Sequence, residues 1–205
     1  MQPTKTNVIN LTKKLDFVTK GESFLEYKEE QLMQQIKTLW SDFKLSQKNF
    51  FVLYKKALSK LYETYQEMGK RQVVMINNIN IIQFKPFIDI NYRKKIGILL
   101  PYINFELKQE EQLPAYSFEN TSHHLDELIV ILKEFFESLI VFAEKEDILL
   151  KLTLNLKKIS RRISGLKNVI KPQLISDIKT IKEILEELER ESFVRLKKTK
   201  SLIKE

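Results

Sequence analysis

Apolar residues recur in alternating steps of three and four along the first part of this chain and again along its last third, and no other feature constrains the fold as tightly. Counted from Val8, the stripe runs Val8, Leu11, Leu15, Val18, Glu22, Leu25, Glu29, Leu32, Ile36, Leu39, Phe43, Ser46, Phe50, Leu53, Ala57, Lys60. Twelve of these sixteen positions are apolar, against about seven expected from the chain's 43% apolar content, so the spacing is that of a supercoiled helix with a 3.5-residue repeat. Such a seam needs a partner helix. The pattern returns as Leu128, Leu132, Phe135, Leu139 and Phe142, then as Leu152, Leu156, Ile159, Ile163, Leu166 and Ile170. The partner is therefore predicted within the same chain, each stripe covering the other. Two ordinary bundle helices are the competing reading, but bundle helices are usually far shorter.

Past Ile170 the steps become four and four through Leu174 to Ile178, and then resume as Ile181, Leu185, Leu188 and Ser192. A stutter of this kind predicts local unwinding of the supercoil. Pro172 lies inside it; lacking an N–H and clashing with the preceding turn, it predicts a kink there.

Composition supports long helices. Gly 4 and Pro 5 in 205 residues are too few for a loop-rich fold. Cys 0 excludes disulfides and thiolate metal sites and fits a reducing compartment. The longest uncharged run, Gln72 to Phe84, is too short and too rich in Asn to span a bilayer, and no apolar signal core opens the chain. A soluble or peripheral protein is expected. The net charge of +8 would suit an anionic partner, but Glu26-Tyr27-Lys28-Glu29-Glu30 and Glu186-Glu187-Leu188-Glu189-Arg190-Glu191 mix both signs, as on the solvated face of a long helix. Two basic clusters stand out. Lys157, Lys158, Arg161 and Arg162 repeat at i and i+4, which gathers four positive charges on one side of a helix; Lys197, Lys198 and Lys200 crowd the C-terminus, where cations also complement the helix dipole.

The middle reads differently. The first helix is predicted to end near Met68-Gly69, glycine being the residue most at ease in the left-handed conformation that closes a helix. Val73 to Ile82 is rich in β-branched residues, and Phe87 to Tyr92 alternates with a period of two, so this region is read as extended. A turn around Arg93-Lys94-Lys95 and a second strand, Ile96 to Pro101 with Gly97 inside it, complete a protruding hairpin. Pro86 and Pro101 lack the donor that an interior strand requires, so their segments belong at strand ends or edges. Gln109 to Asn120 reads as a polar connection. Thr121 or Ser122 then caps the second long helix, with Asp126 and Glu127 in its first turn. His123-His124 are neighbours and point in different directions on a helix, so they are not expected to share a metal.

The parts of an enzyme are missing from the sequence. Gly21, Gly69, Gly97 and Gly165 are scattered singly, so no phosphate loop can be drawn; there is no thiol, no His-x-x-x-His pair and no Gly-x-Ser-x-Gly turn. Neighbouring carboxylates such as Glu186-Glu187 lie in strongly charged helical sequence and read as solvated surface. No catalytic, cofactor or metal residues are assigned.

Several local signatures in order carry a resemblance. They are Pro3-Thr4, Lys13-Lys14-Leu15, Lys20-Gly21 and Phe24-Leu25 through Lys28 to Leu32; then Tyr92 to Pro101 with its Gly-x-x-x-Pro strand; then Tyr116-Ser117, Thr121-Ser122, Leu125-Asp126-Glu127, Ala143-Glu144-Lys145-Glu146 and Arg161-Arg162; and finally Pro172, Leu174, Leu185, Glu187, Glu189-Arg190-Glu191, Arg195-Leu196-Lys197 and Lys200. Together they resemble the D subunit of the V-type and archaeal/bacterial A/V-type rotary ATPases over nearly the whole chain. Two departures mark this chain. Lys28-Glu29-Glu30 stands where the family usually has Lys-Arg-Asp, and Ile163-Ser164-Gly165-Leu166-Lys167 where it has Val-Asn-Ala-Leu-Glu; a mid-helix Gly for Ala costs roughly 1 kcal/mol.

The resemblance implies a mainly α fold: a long antiparallel coiled coil of N- and C-terminal helices with a small β-hairpin insertion. The expected organisation is an N-terminal helix over 1–70, hairpin and loops over 71–120, and a C-terminal helix over 121–205. It also implies a non-catalytic central-stalk rotor subunit that couples ATP hydrolysis or synthesis in a hexamer of A and B subunits to ion translocation through a membrane rotor ring. The F subunit and a C/d-type subunit would be further partners. The complex would place the chain on the cytoplasmic face of a membrane, associated with it only through the complex and binding no nucleic acid. Helices of this length, at about 1.5 Å per residue, would give a shaft on the order of 90 Å. The seam is then expected to be carried by Leu11, Leu15, Val18, Leu25, Leu32, Ile36 and Leu39 against Leu156, Ile159, Ile163, Leu166, Ile170, Ile181, Leu185 and Leu188. Lys157, Lys158, Arg161, Arg162, Arg195, Lys197 and Lys198 are candidate hexamer contacts, and Gly97 and Pro101 mark the hairpin. The readings that compete are a basic coiled coil binding nucleic acid or a membrane surface, and a structural helical hairpin.

Overall fold

The computed structural model describes residues 3–79, 84–109 and 121–202. Helix α1 (Lys5–Met68) is followed by α2 (Lys70–Ile79), strands β1 (Phe84–Lys95) and β2 (Ile98–Gln109), α3 (His123–Gly165), a π-turn (Leu166–Ile170) and α4 (Lys171–Leu202). The fold is mainly α, a coiled coil of N- and C-terminal helices with one two-stranded insertion. It divides into two compact units, residues 1–33 with 156–205 and residues 34–155.

In the first unit the start of α1 lies against α4. Thr4 opens α1, its hydroxyl accepting the Asn7 N–H at 3.3 Å. The helices are antiparallel: Lys5 pairs with Glu189 at 2.8 Å, while Glu22, further along α1, pairs with Lys171, further back on α4, at 2.9 Å. In this unit Leu11 and Leu32 of α1, Ile159 and Ile163 at the end of α3, and Ile181 of α4 are buried, and Val8, Leu15, Val18, Leu25, Leu156, Leu166 and Leu185 are half-buried. Removing this apolar surface from water, at roughly 25 cal/mol per Å², is what holds two helices of modest individual stability together.

The local unwinding expected at the break in the C-terminal stripe takes a specific form. The backbone between Leu166 and Ile170 forms a single π-turn, in which the Lys171 N–H donates to the Leu166 carbonyl. A π-turn inserts one residue into the helix. The seam therefore advances by eight residues where a heptad would advance by seven, from Ile163 to Lys171 and from Leu166 to Leu174. Ile170 is rotated outward and is 42% exposed; Lys171 takes the seam position expected for it. The disturbance ascribed to Pro172 thus lies in the turn before it. Leu188 also departs from expectation, at 49% exposed. Lys5 is the first residue of α1 and is already paired with Glu189, so α4 beyond that point has no more of α1 beside it.

In the second unit the rest of α1 lies against α3, again antiparallel, and the seam turns aromatic. Phe142 stacks on Phe43 and Phe50 with ring centroids 5.4 and 5.1 Å apart, and Phe135 meets Phe50 and Tyr54 at 5.5 and 6.1 Å. Offset rings of this kind add to area burial alone. Ile36 and Leu39 are half-buried, and Leu152 is fully buried. At the far end α1 closes on Gly69, whose φ of 79° is left-handed and whose N–H reaches the Tyr65 carbonyl at 3.0 Å. Of the two offered caps for α3, Ser122 acts: its Oγ accepts the His124 N–H at 3.2 Å, and its O–H donates to the Glu67 carboxylate of α1.

Val73 to Ile79, read as extended, is helical within α2; β-branching is a weak preference that tertiary context overrides. Residues 80–82 of that run, and the expected polar connection from 110 to 120, lie outside the described residues. The hairpin also differs in detail. Arg93-Lys94-Lys95 belongs to β1, and the turn is Ile96-Gly97, with Lys95 opposite Ile98. Both turn residues have positive φ, 50° and 76°, the signature of a type I′ turn whose twist matches that of its strands. Counting outward from Lys95–Ile98 in the alternating antiparallel ladder, Pro86 and Pro101 both fall in pairs without backbone hydrogen bonds, where a missing N–H removes no rung. The hairpin does not protrude. It lies along α3, with the Ile103 N–H donating to Glu144 Oε2 at 3.2 Å, Lys133 Nζ 4.0 Å from the Phe84 ring, and Lys151 Nζ 5.5 Å from the Tyr92 ring.

Candidate functional site

The residues singled out from the sequence do not converge on one pocket; they distribute over surfaces. Lys157, Lys158, Arg161 and Arg162 lie on α3 and are all exposed, while Ile159 and Ile163 between them are buried. The 3.6-residue turn produces that split, with cations on one side and the seam on the other. None of the four pairs with a carboxylate among the described residues. Such a face is a solvated positive field with little internal neutralisation, suited to steering an acidic surface.

The C-terminal cations sit on the part of α4 that passes the start of α1. Arg195, Lys197 and Lys198 are exposed, and Arg195 pairs along the helix with Glu191 at 3.3 Å. Phe193, Val194 and Leu196 are exposed beside them. On α1, Phe17, Phe24 and Tyr27 point away from the seam and are also exposed. The heptad pattern passes over them because it tracks only the seam; the seven-residue step from Phe17 to Phe24 was the available signal.

A polar network joins the end of α1 to the start of α3. Lys60 Nζ lies 2.6 Å from Glu127 Oε2 and 2.7 Å from Glu63 Oε2. His124 Nδ1 is 3.6 Å from Glu63 and 3.8 Å from Glu127, and His123 Nε2 is 3.2 Å from Glu127. Hydrogen bonds donated to Glu127 and Glu63 hold the Lys60 ammonium above its ordinary pKa, and in accepting them both carboxyls are held below theirs. Among the described residues no group of three or more His, Asp or Glu side chains is arranged to hold a metal ion.

Gly97 is exposed at the hairpin tip and Pro101 is buried. The hairpin and α3 enclose an apolar cavity of about 600 Å³, walled by residues such as Phe84, Phe105, Leu132 and Phe136, with Lys133 at its edge. No helix among the described residues is long and apolar enough to cross a membrane. The geometry offers long paired helices, a cationic face and exposed apolar side chains at several levels, an arrangement suited to contacting other proteins.

Comparison with known proteins agrees. The family model for the ATP synthase D subunit matches residues 7–201. The A-type ATP synthase D subunit of Pyrococcus abyssi is 28% identical over 209 residues, covering 99% of this chain and 94% of its own. That of Pyrococcus furiosus is 28% identical over 216 residues with the same coverage, and that of Methanopyrus kandleri is 26% identical over 208 residues, covering 99% of this chain and 87% of its own.

Proposed function

Since the chain belongs to the ATP synthase D-subunit family, we propose that it is the non-catalytic central-stalk rotor subunit of a V/A-type rotary ATPase. The observation that carries this reading is the antiparallel pairing of α1 within each unit, with α4 in one and with α3 in the other. Torque has to pass along an element that resists unwinding, and two helices buried against each other supply one. Rotation of an asymmetric shaft favours a different conformation at each catalytic site around it, so the angle of the shaft and nucleotide affinity are linked by a coupling free energy. The ATP chemistry belongs to the surrounding A and B subunits. The F subunit docks beside the middle of the shaft, a C/d-type subunit joins its base to the membrane rotor ring, and the whole lies on the cytoplasmic face of the membrane.

The exposed face of Lys157, Lys158, Arg161 and Arg162 meets carboxylates of the ring, where attraction guides rotation without dry, adhesive burial. Arg195, Lys197 and Lys198 extend that contact toward the C-terminus. The deciding experiment is co-expression with A, B and F subunits from the same genome, then size-exclusion chromatography and an ATPase assay with and without this chain. One copy per hexamer with altered turnover supports the shaft. A hexamer that assembles and excludes the chain overturns it. Reversing the four charges on α3 should then lower ATP-driven torque, and wild-type torque after reversal would remove the electrostatic role.

A further inference from the structure

We propose that Glu22, Lys171 and the π-turn beside them form a register lock that holds α1 and α4 in one axial and rotational alignment. The two apolar stripes of the C-terminal segment are out of phase by one residue. Continued in a uniform α-helix, the stripe through Ile159, Ile163 and Leu166 would next present Ile170, Gln173, Asp177 and Thr180 to α1, three of them polar. The stripe actually half-buried or buried beyond the break is Lys171, Leu174, Ile178, Ile181 and Leu185, with Asp177 half-buried at its edge and Ile170, Gln173 and Thr180 exposed. One inserted residue reconciles them, and the π-turn at Leu166–Ile170 supplies it. Pro172 follows immediately and has no N–H to offer the carbonyl four residues earlier, so reversion to a plain α-helix would not regain that bond.

The insertion brings a lysine into the seam opposite a glutamate. Glu22 is buried, its side chain 8% exposed, and it meets Lys171 Nζ at 2.9 Å. Its neighbours along the α1 seam are Val18 and Leu25, and the next seam residue after Lys171 is Leu174. A slide of one helical turn in either direction therefore sets each charge against aliphatic side chains and leaves Glu22 buried without a partner, while Lys171 is half-buried. Aliphatic layers tolerate such a slide because one leucine resembles the next. A single complementary polar layer does not, which is how a polar residue at a seam position specifies alignment at some cost in stability. The lock is a property of the chain itself; its consequence, torque carried without slippage, rests on the shaft reading.

The test uses the full chain, which contains no cysteine and so accepts labels only where they are placed. Spin labels at Ile9→Cys and Lys182→Cys flank the α1–α4 pair and leave Lys5–Glu189 intact. The parent should give one narrow label-to-label distance. Glu22→Leu with Lys171→Leu should fold and melt at an equal or higher temperature, yet its distance distribution should broaden or split by about one helical turn, ~5.4 Å. The charge-swapped pair, Glu22→Lys with Lys171→Glu, should return a single narrow distance. A narrow, unshifted distance in the double-leucine protein would overturn the proposal, as would a charge-swapped protein as heterogeneous as the double-leucine one. Because no partner subunit is involved, either result is independent of whether the chain enters a hexamer.

Discussion

The two units solve one problem, how to keep two helices side by side, with different chemistry. In residues 1–33 with 156–205 the seam is mostly aliphatic, with Glu22 paired to Lys171 at a π-turn and Glu29 half-buried further along α1. In residues 34–155 stacked phenylalanines interdigitate, and a hairpin along α3 adds further cover. Ring stacking fixes alignment through shape, because a displaced ring loses both its partner and its packing. A leucine seam lacks that selectivity. The difference teaches that register has to be specified somewhere in each stretch, by shape where the side chains are large and distinct, and by charge where they are small and alike.

The sharpest way to break this comparison is to remove one central side chain from each unit. Leu32→Ala and Phe50→Ala should each cost about 3 kcal/mol, with increased amide hydrogen exchange confined to the unit that holds the mutation. Leu32 is fully buried, and Phe50 meets four rings, Phe51 and Tyr54 on its own helix and Phe135 and Phe142 across the seam. Equal loosening of both units by either change would show that they are one cooperative body.

Glycine substitutions sharpen the contrast at a smaller scale and with opposite signs. Gly165 sits just before the π-turn with ordinary helical φ and ψ, −65° and −42°, and nothing lies within 4 Å of where a Cβ would be. Gly165→Ala should therefore stabilise the first unit by about 1 kcal/mol in thermal melts. Gly69 is left-handed at φ 79°, so Gly69→Ala should destabilise the second by about 1 kcal/mol. Ile96, a β-branched residue held at φ 50°, stores strain at the hairpin tip. Ile96→Asn suits a type I′ turn and should protect the hairpin amides by roughly 0.5–1 kcal/mol more than the parent.

The smallest expected effect is a pH dependence at the far end of α1. Glu63 and Glu127 have pKa values lowered by Lys60, so their contribution is present above the ordinary carboxyl value of 4.5 and is lost as pH falls through the lowered values. Lys60 is raised, so its share is present below 10.5 and is lost as pH rises through the raised value. Lys60→Met should flatten the melting temperature at both extremes. A parent and variant with parallel pH profiles would show that the network is only solvated surface.

Much of this fold was legible because period is a local property. The three-four stripe places Leu11, Leu32, Ile159 and Ile163 on one side of a helix whatever it packs against, and Gly69 and Ser122 marked helix ends through backbone chemistry that needs no distant partner. The cationic face at Lys157 to Arg162 was readable for the same reason. Where two local readings competed, context decided. Val73 to Ile79 is helical despite its β-branching, and the hairpin turns at Ile96-Gly97 after the basic run.

From the sequence alone came the long helices, their seam and the hairpin, since each rests on residues close enough in the chain to act through backbone geometry; the family came from the resemblance carried by the ordered signatures. Tertiary structure decided how the one-residue mismatch after Leu166 is absorbed. The sequence pointed to a local unwinding at the stutter and a kink at Pro172, and it named Ile170 as the seam position. Glu22, about 150 residues away in sequence, meets Lys171 across the helix pair and favours the inserted residue, because only then does the buried carboxylate have a partner.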